Sequence, residues 1–303
     1  MTAEVGPWAK EKLEALERYL GFYTKVMKNQ TQWRTIYIDA FAGGGVAQVR
    51  GRRREEGTTW DLLPETEPEA QEFIRGSPRV AMDLPDPFDT YVFIDADPAR
   101  VAMLEALKAE PKYKDGRIVH VRAGKAADEI AWVLSHKLPP TRYRGVAFLD
   151  PFGAHLEWQT IRALAKSNVF EVFINVPLHM AINRLMKVDG VIPATWRAQL
   201  DAFFPSGWWE EVYEDVEAGL FSGDASMPAE IRKRPDAIER LLRFYVAQLK
   251  GAFGHVSAPK LIRNTRQSPL YYLVWAGMHR RGLEGADYVL KMGERLPRGQ
   301  PIT

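Results

Sequence analysis

Three groups of residues in this chain have the types and spacing to do chemistry. The first is Asp39-Ala-Phe-Ala-Gly-Gly-Gly45, a glycine turn directly after the β-rich run 35–39. Glycines there let backbone come close to a ligand where the sheet order reverses. Phe41, Ala42, Gly43 and Gly45 are the candidate lining. A phosphate-cradling loop would need GxxxxGK[ST], and no lysine stands there. A dinucleotide fingerprint would need a third glycine where Gln48 stands. Both are excluded. The second group is Asp95-Ala96, ending the buried run 91–95. A carboxylate at that place can accept both hydrogen bonds of a vicinal diol, or it can cap the helix starting at Asp97-Pro98. The third is Asp150-Pro-Phe-Gly153, together with Asn175-Val-Pro177 at the end of the next run. Asp150 can accept an N–H of an amino group and so aim the nitrogen lone pair, with Phe152 stacking on a flat ring. The alternative is that Asp150 caps a helix and Phe152 packs. Asn175 fits substrate contact and a turn equally.

Composition removes other chemistries. The chain has no cysteine, which excludes disulfides, thiolate metal sites, iron–sulfur clusters and any cysteine nucleophile. Six scattered histidines lack HExxH-type spacing, so no metal is expected. The net charge of +2 decides little. A basic run that includes Arg52, Arg53 and Arg54 follows the glycine turn, where it can meet phosphates. Glu55 and Glu56 partly cancel it, and a solvated loop is the equal alternative. The charged N-terminus lacks an apolar signal core and no apolar run is long enough for a bilayer, so a cytoplasmic address with no membrane contact is expected.

The elements that must position these groups follow from periodicity. Leu13, Leu16, Leu20, Tyr23 and Met27 recur at helical spacing and predict an opening amphipathic helix. Apolar runs at 35–39, 91–95, 118–121, 145–150 and 169–176 predict five strands separated by helices, hence a mostly parallel sheet covered on both faces. Gly76-Ser77-Pro78 predicts a helix start with Ser77 as cap. Ile238, Leu241, Leu242, Tyr245 and Leu249 predict a long helix. Two last strands, near 253–263 and 271–276, are joined too tightly for a helical crossover and must be antiparallel. We expect one domain over 1–303, with a basic insertion at 46–75, a helical aromatic insertion at 178–228, and a closing helix and hairpin at 229–303. The aromatics of the second insertion suit packing or a stacking lid.

Five parallel strands, a helix and a closing hairpin are the class I methyltransferase order, a Rossmann-like seven-stranded sheet. The turn at Asp39 is similar to the first motif of methyltransferases that modify bases. This similarity implies S-adenosylmethionine as cofactor, with Asp39 near its methionyl amine, Asp95 on the ribose and Gly124 beside the adenine. Relatives have Asp after that glycine; Lys125 stands here, which leaves the adenine contact unassigned, with Asp128 as a substitute. Amino-methylating enzymes carry [Asp/Asn/Ser]-Pro-Pro-[Tyr/Phe] where Asp150-Pro-Phe-Gly153 stands, and Gly153 breaks the proline pair. In order along the chain, Tyr37-Ile-Asp-Ala-Phe-Ala-Gly43, Gly76-Ser-Pro78, Phe148-Leu-Asp-Pro-Phe-Gly153, Ile174-Asn-Val-Pro177 with Met180 and Asn183-Arg184, and Tyr271-Tyr-Leu-Val with His279 resemble the three-Cys-motif partner family, TcmP. That resemblance implies a functional link to a separate three-cysteine protein similar to radical S-adenosylmethionine enzymes. The expectation is a methyltransferase acting on a nitrogen of a nucleic acid base, with nucleic acid as partner. The alternative is a non-catalytic methyltransferase-like module that binds the three-cysteine protein.

Overall fold

Strands form where the apolar runs predict them; those at 34–39, 90–95, 143–149 and 170–176 are largely buried on both faces, while the one at 118–123 is half-exposed. The computed structural model of the protein describes residues 7–43, 46–47, 74–136, 138–151, 153–216, 230–264 and 266–291. In chain order these carry α1 (Pro7–Met27), β1 (Arg34–Asp39), the two-residue pair β2 (Val46–Ala47) and β3 (Ile74–Arg75), α2 (Ser77–Met82), β4 (Thr90–Asp95) and α3 (Pro98–Lys108). Then follow β5 (Ile118–Ala123), α4 (Ala126–Ser135), β6 (Tyr143–Leu149), α5 (Trp158–Lys166) and β7 (Phe170–Val176). A π-helical turn (Leu178–Ile182) leads to α6 (Asn183–Leu185), α7 (Ala194–Phe203), a 3-10 segment (Pro205–Val212) and the hairpin β8 (Tyr213–Val216) with β9 (Glu230–Lys233). The chain closes with α8 (Ala237–Phe253), β10 (His255–Val256), β11 (Lys260–Arg263), β12 (Pro269–Gly277) and α9 (Arg280–Lys291).

The main sheet runs β10-β12-β7-β6-β1-β4-β5, with β11 also on β12. Strands β7, β6, β1, β4 and β5 are parallel, and β12 enters antiparallel beside β7. This is the class I methyltransferase-like arrangement, a mostly parallel sheet with an antiparallel terminal pair. The expected seven lanes contain eight strands, because the outer lane is split into β10 and β11. Pro259 in the gap has no N–H to donate, and the Ser257 hydroxyl takes the ladder's place by accepting the Trp275 N–H at 3.0 Å.

Side-chain alternation gives the sheet two apolar faces. Ile36, Ile38, Val92, Ile94, Leu149 and Ile174 face one core with helix residues such as Ile130, Ile161 and Leu241. Tyr37, Tyr91, Phe93, Phe148, Phe173 and Trp275 face the other, under α1, α3 and α9. Helix α1 lays Ala15, Leu16, Tyr19, Leu20 and Tyr23 on that second face. Each large side chain buried this way is worth about 1.5–3 kcal/mol, so α1 is docked by its own stripe. Of the two uses open to the second aromatic run, packing holds for Phe203, Phe204 and Trp209, which are buried; Phe203 stacks on Tyr245 at 5.1 Å.

One cap differs from expectation. Gly76 occupies the cap position of α2, while Ser77 and Pro78 are its first two residues. The Ser77 hydroxyl is engaged instead by the Asp39 carboxyl. Asp97 does cap α3, accepting the Ala99 N–H at 2.9 Å.

Candidate functional site

The sheet order reverses direction between β1 and β6, and in open α/β sheets ligands bind in the crevice outside the carboxyl ends of the strands at such a switch point. Asp39 ends β1, opposite Phe148 of β6 and Phe93 of β4. It is completely buried, and burial pushes its carboxyl up to about 7, with the charge of Asp150 adding to the rise. The Ser77 hydroxyl, the Phe41 backbone N–H and the Tyr37 hydroxyl at 3.4 Å pull the other way. One carboxyl oxygen, Oδ1, has no hydrogen-bond partner.

Beyond Asp39 the chain is tied back to its neighbours. The Ala40 N–H donates to the Phe148 carbonyl at 3.1 Å, and the Ala42 N–H to the Ile94 carbonyl at 2.9 Å. Phe41 is half-buried against the core. Gly43 has φ +62, and a Cβ there would meet nothing within 4 Å. The backbone angle, not crowding, is what asks for glycine. The Gly43 N–H donates to Asp95 Oδ2 at 2.9 Å, and the Asp97 N–H donates to Asp95 Oδ1 at 2.8 Å. Asp95 therefore braces the glycine turn against the start of α3 and leaves the capping to Asp97. Each of its oxygens can accept a further bond, and the Arg100 guanidinium lies 3.6 Å from Oδ2. Ala96 is exposed beside it.

Gly124 follows β5, and its N–H donates to the Asp95 carbonyl at 3.1 Å. A Cβ on Gly124 would stand 2.5 Å from Glu129 Oε1. Glu129 is held there by the Arg122 Nε–H, which donates to Oε2 at 2.6 Å. Lys125 and Asp128 are both exposed, so the carboxylate that reaches this glycine is Glu129, which sequence spacing did not single out.

The other wall of the crevice is Asp150, the residue after β6. It does not cap α5, where Glu157 holds the cap position. Its Oδ1 accepts the Asn175 side-chain amide at 2.7 Å, and its Oδ2 accepts the Lys12 ammonium at 2.5 Å. Lys12 comes from α1 and lies 5.6 Å from the centre of the Tyr271 ring. Tyr271 is buried, which pushes its hydroxyl well above the ordinary phenol range, and the Asp150 charge adds to the effect. Gly153, one residue beyond Phe152, which stands where the motif has its second proline, has φ +74, a backbone angle that favours glycine. Just past Asn175, His179 in the π-helical turn approaches the Tyr272 hydroxyl at 3.4 Å. Gly45, Phe152, Arg52, Arg53 and Arg54 lie outside the described residues.

Among the described residues, five buried side-chain polar atoms lack a partner, and three belong to this site: Asp39 Oδ1, Asn175 Oδ1 and the Tyr271 hydroxyl. Native proteins leave few such atoms, so each of these calls for a partner from outside the chain, an ordered water or a ligand group. The Asn175 oxygen accepts only, and Asp39 Oδ1 accepts when its carboxyl is ionised.

No protein-family model matches the sequence, and no curated protein does either. Among solved structures, LPL1258 of Legionella pneumophila, of the family model DUF519, is 14% identical with a TM-score of 0.41, over 89% of this chain and 97% of that one. Spermidine synthase of Thermotoga maritima is 10% identical with a TM-score of 0.43, over 94% and 64%. The YhhF protein of Escherichia coli is 12% identical with a TM-score of 0.31, over 86% and 88%. The fold class rests on this chain's own strand order and on the reversed strand beside β7: it is class I methyltransferase-like.

Proposed function

We propose that this chain is an S-adenosylmethionine-dependent methyltransferase that acts on a nitrogen of a nucleic acid base, and that it is a TcmP-family protein. The observation that carries this reading is the pair Asp39 and Asp150, ending adjacent parallel strands on the two sides of the crevice, with unpaired acceptor atoms around them. The residues present fit the cofactor. Asp39 Oδ1, which lacks a partner, would take a donor from the methionyl amine, Asp95 would take the ribose hydroxyls, and Glu129, beside Gly124, would take the adenine amino group. S-adenosylmethionine supplies an electrophilic methyl carbon on its sulfonium.

The protein's part is orientation. Asn175 holds Asp150 through Oδ1 and Lys12 holds it through Oδ2, so the two N–H bonds of an exocyclic amine would go to a remaining lone pair of Asp150 Oδ2 and to the unpaired Asn175 Oδ1. Such bonding points the nitrogen lone pair toward the methyl carbon. With the cofactor bound, its sulfonium would supply the methyl group and act as the leaving group, and Asp150 would be the residue placed to take the proton that the amine gives up. Holding the two reacting atoms in line accounts for most of the acceleration such a site can provide. Phe152 is assigned to stacking on the base, and Arg52, Arg53 and Arg54 to phosphates, from sequence alone.

A second reading, a non-catalytic module that binds a three-cysteine protein, draws on Lys125, which is exposed at the position where an adenine-binding acid is expected. One experiment separates the two. Purified protein is incubated with methyl-labelled S-adenosylmethionine and DNA, RNA or cell protein, with and without the partner. Label in nucleic acid supports the first reading. Label in protein only would sink it, and no label anywhere favours the module.

A further inference from the structure

Lys12 is out of place for a helix that only packs. It lies one turn before Leu16 and two before Leu20, on the stripe that α1 buries against the sheet. A lysine on a buried stripe is uncommon unless it is paired. Its side chain is 16% exposed and that of Asp150 22%, so both ions are largely withdrawn from water. Taking two charges out of water offsets much of their attraction, which makes such a pair a poor device for stability. Nor does α1 need it, since five buried residues follow on the same face and Glu11 is already paired with Lys260 at 2.9 Å.

The surroundings of Asp150 show what the ammonium does there. From β1 it faces the carboxyl of Asp39 and the phenol of Tyr37; from β12, the phenol of Tyr271; from β7, the Asn175 amide; from α1, Lys12 with Glu11 beyond it. Lys12 is the cation that touches Asp150 in this acidic corner. We propose that Lys12 is a positioning residue of the transfer site: its ammonium is the counter-ion that fixes the Asp150 carboxylate in place near Asp39, so that α1 completes the acceptor end. This inference rests on the S-adenosylmethionine reading above.

A binding measurement tests it without knowledge of the acceptor. An acceptor nitrogen within hydrogen-bond reach of Asp150 and about 3–3.5 Å from the methyl carbon brings the sulfonium within roughly 8 Å of that carboxylate. At that range a unit charge still matters. S-adenosylmethionine carries the sulfonium charge, while its product S-adenosylhomocysteine has a neutral sulfur. Calorimetry with both ligands gives the affinity ratio for wild type, Lys12→Met, Lys12→Arg and Asp150→Asn. With the ammonium gone, Asp150 is left unneutralised, and Lys12→Met should shift the ratio about threefold or more toward S-adenosylmethionine. Lys12→Arg should stay near wild type. Asp150→Asn should shift the ratio the opposite way, which keeps the test decisive if Lys12→Met does not fold. A purely structural lysine would leave the ratio alone. Both ligands binding with the same ratio in all four proteins overturns the proposal. Neither ligand binding to wild type overturns the cofactor reading, and this inference with it.

Discussion

At the scale of single residues, the site is a set of acceptors at strand ends, and each makes a distinct demand. Under the proposed function, Asp150 accepts a bond from the acceptor nitrogen during transfer. Replacing it with Ala should lower turnover by about two orders of magnitude or more, the scale of a preorganised polar contact. Asn at this position should retain part of the activity, since its carbonyl still accepts. Cofactor affinity should change much less than turnover. Methyl-transfer rates beside binding isotherms check this, and an Asp150→Ala enzyme as fast as wild type would remove Asp150 from catalysis. Asp39 is asked to meet an amine while its own carboxyl is held up to about 7 by burial. Below that pH it is mostly protonated and offers no charge. The affinity for S-adenosylhomocysteine should therefore fall about tenfold or more between pH 8 and pH 5.5. Asp39→Asn should bind weakly at both pH values, and a wild-type affinity flat across the range would rule out Asp39 as the amine's partner.

At the scale of elements, legibility depended on whether a feature was local. Asp39, Asp95, Asp150 and Asn175 could be singled out because each is a polar residue at the end of an apolar run, and such runs become strands. Lys12 could not be read the same way, since its partner lies 138 residues along the chain. A signal was present in its spacing to Leu16 and Leu20, which puts a charge on an apolar stripe. Glu129 lacked even that, because only the packing of α4 against Gly124 brings it into place. The Ser77 cap was a fair reading of local pattern, but the demand of a buried carboxyl outweighed it. Element packing also created a group with no local signature. Glu171 on β7 is sealed under α1 and accepts the Tyr19 hydroxyl, which in turn accepts the Trp275 indole N–H at 2.6 Å. Burial pushes this carboxyl up to about 7, from an ordinary value of 4.5. A carboxyl raised on folding holds its proton more tightly in the native state. Its contribution is therefore whole below about 4.5 and lost as the pH climbs through about 7. Asp39 acts in the same direction from 3.8 to about 7. Denaturant unfolding should show stability declining from pH 5 to pH 8. Glu171→Gln should flatten the decline by up to roughly 3 kcal/mol, the upper bound for a shift of this size. A decline of the same depth in the variant would mean that Glu171 ionises without cost.

At the scale of the whole molecule, the strand order and the late reversal beside β7 were open to reasoning from periodicity and connection length alone. A short link cannot carry a parallel crossover, and five buried runs leave few other sheets to build. The splitting of the outer lane at Pro259 was not predicted, because a ladder repaired by a serine hydroxyl depends on the partner strand. What the fold accomplishes is to bring β1, β6, β7 and α1, far apart in sequence, to one crevice where acceptors outnumber donors. Among the described residues, no helix is long and apolar enough to cross a membrane. The central claim is that this crevice moves a methyl group to a base nitrogen. Its most direct test is nucleoside mass spectrometry on DNA and RNA treated with the protein and S-adenosylmethionine carrying a deuterated methyl group. The account predicts a mass-shifted nucleoside whose fragmentation keeps the label on the base, at nitrogen, and whose yield collapses in Asp150→Ala. Label on carbon or on the sugar, or a nitrogen-labelled base formed equally well by Asp150→Ala, would contradict it.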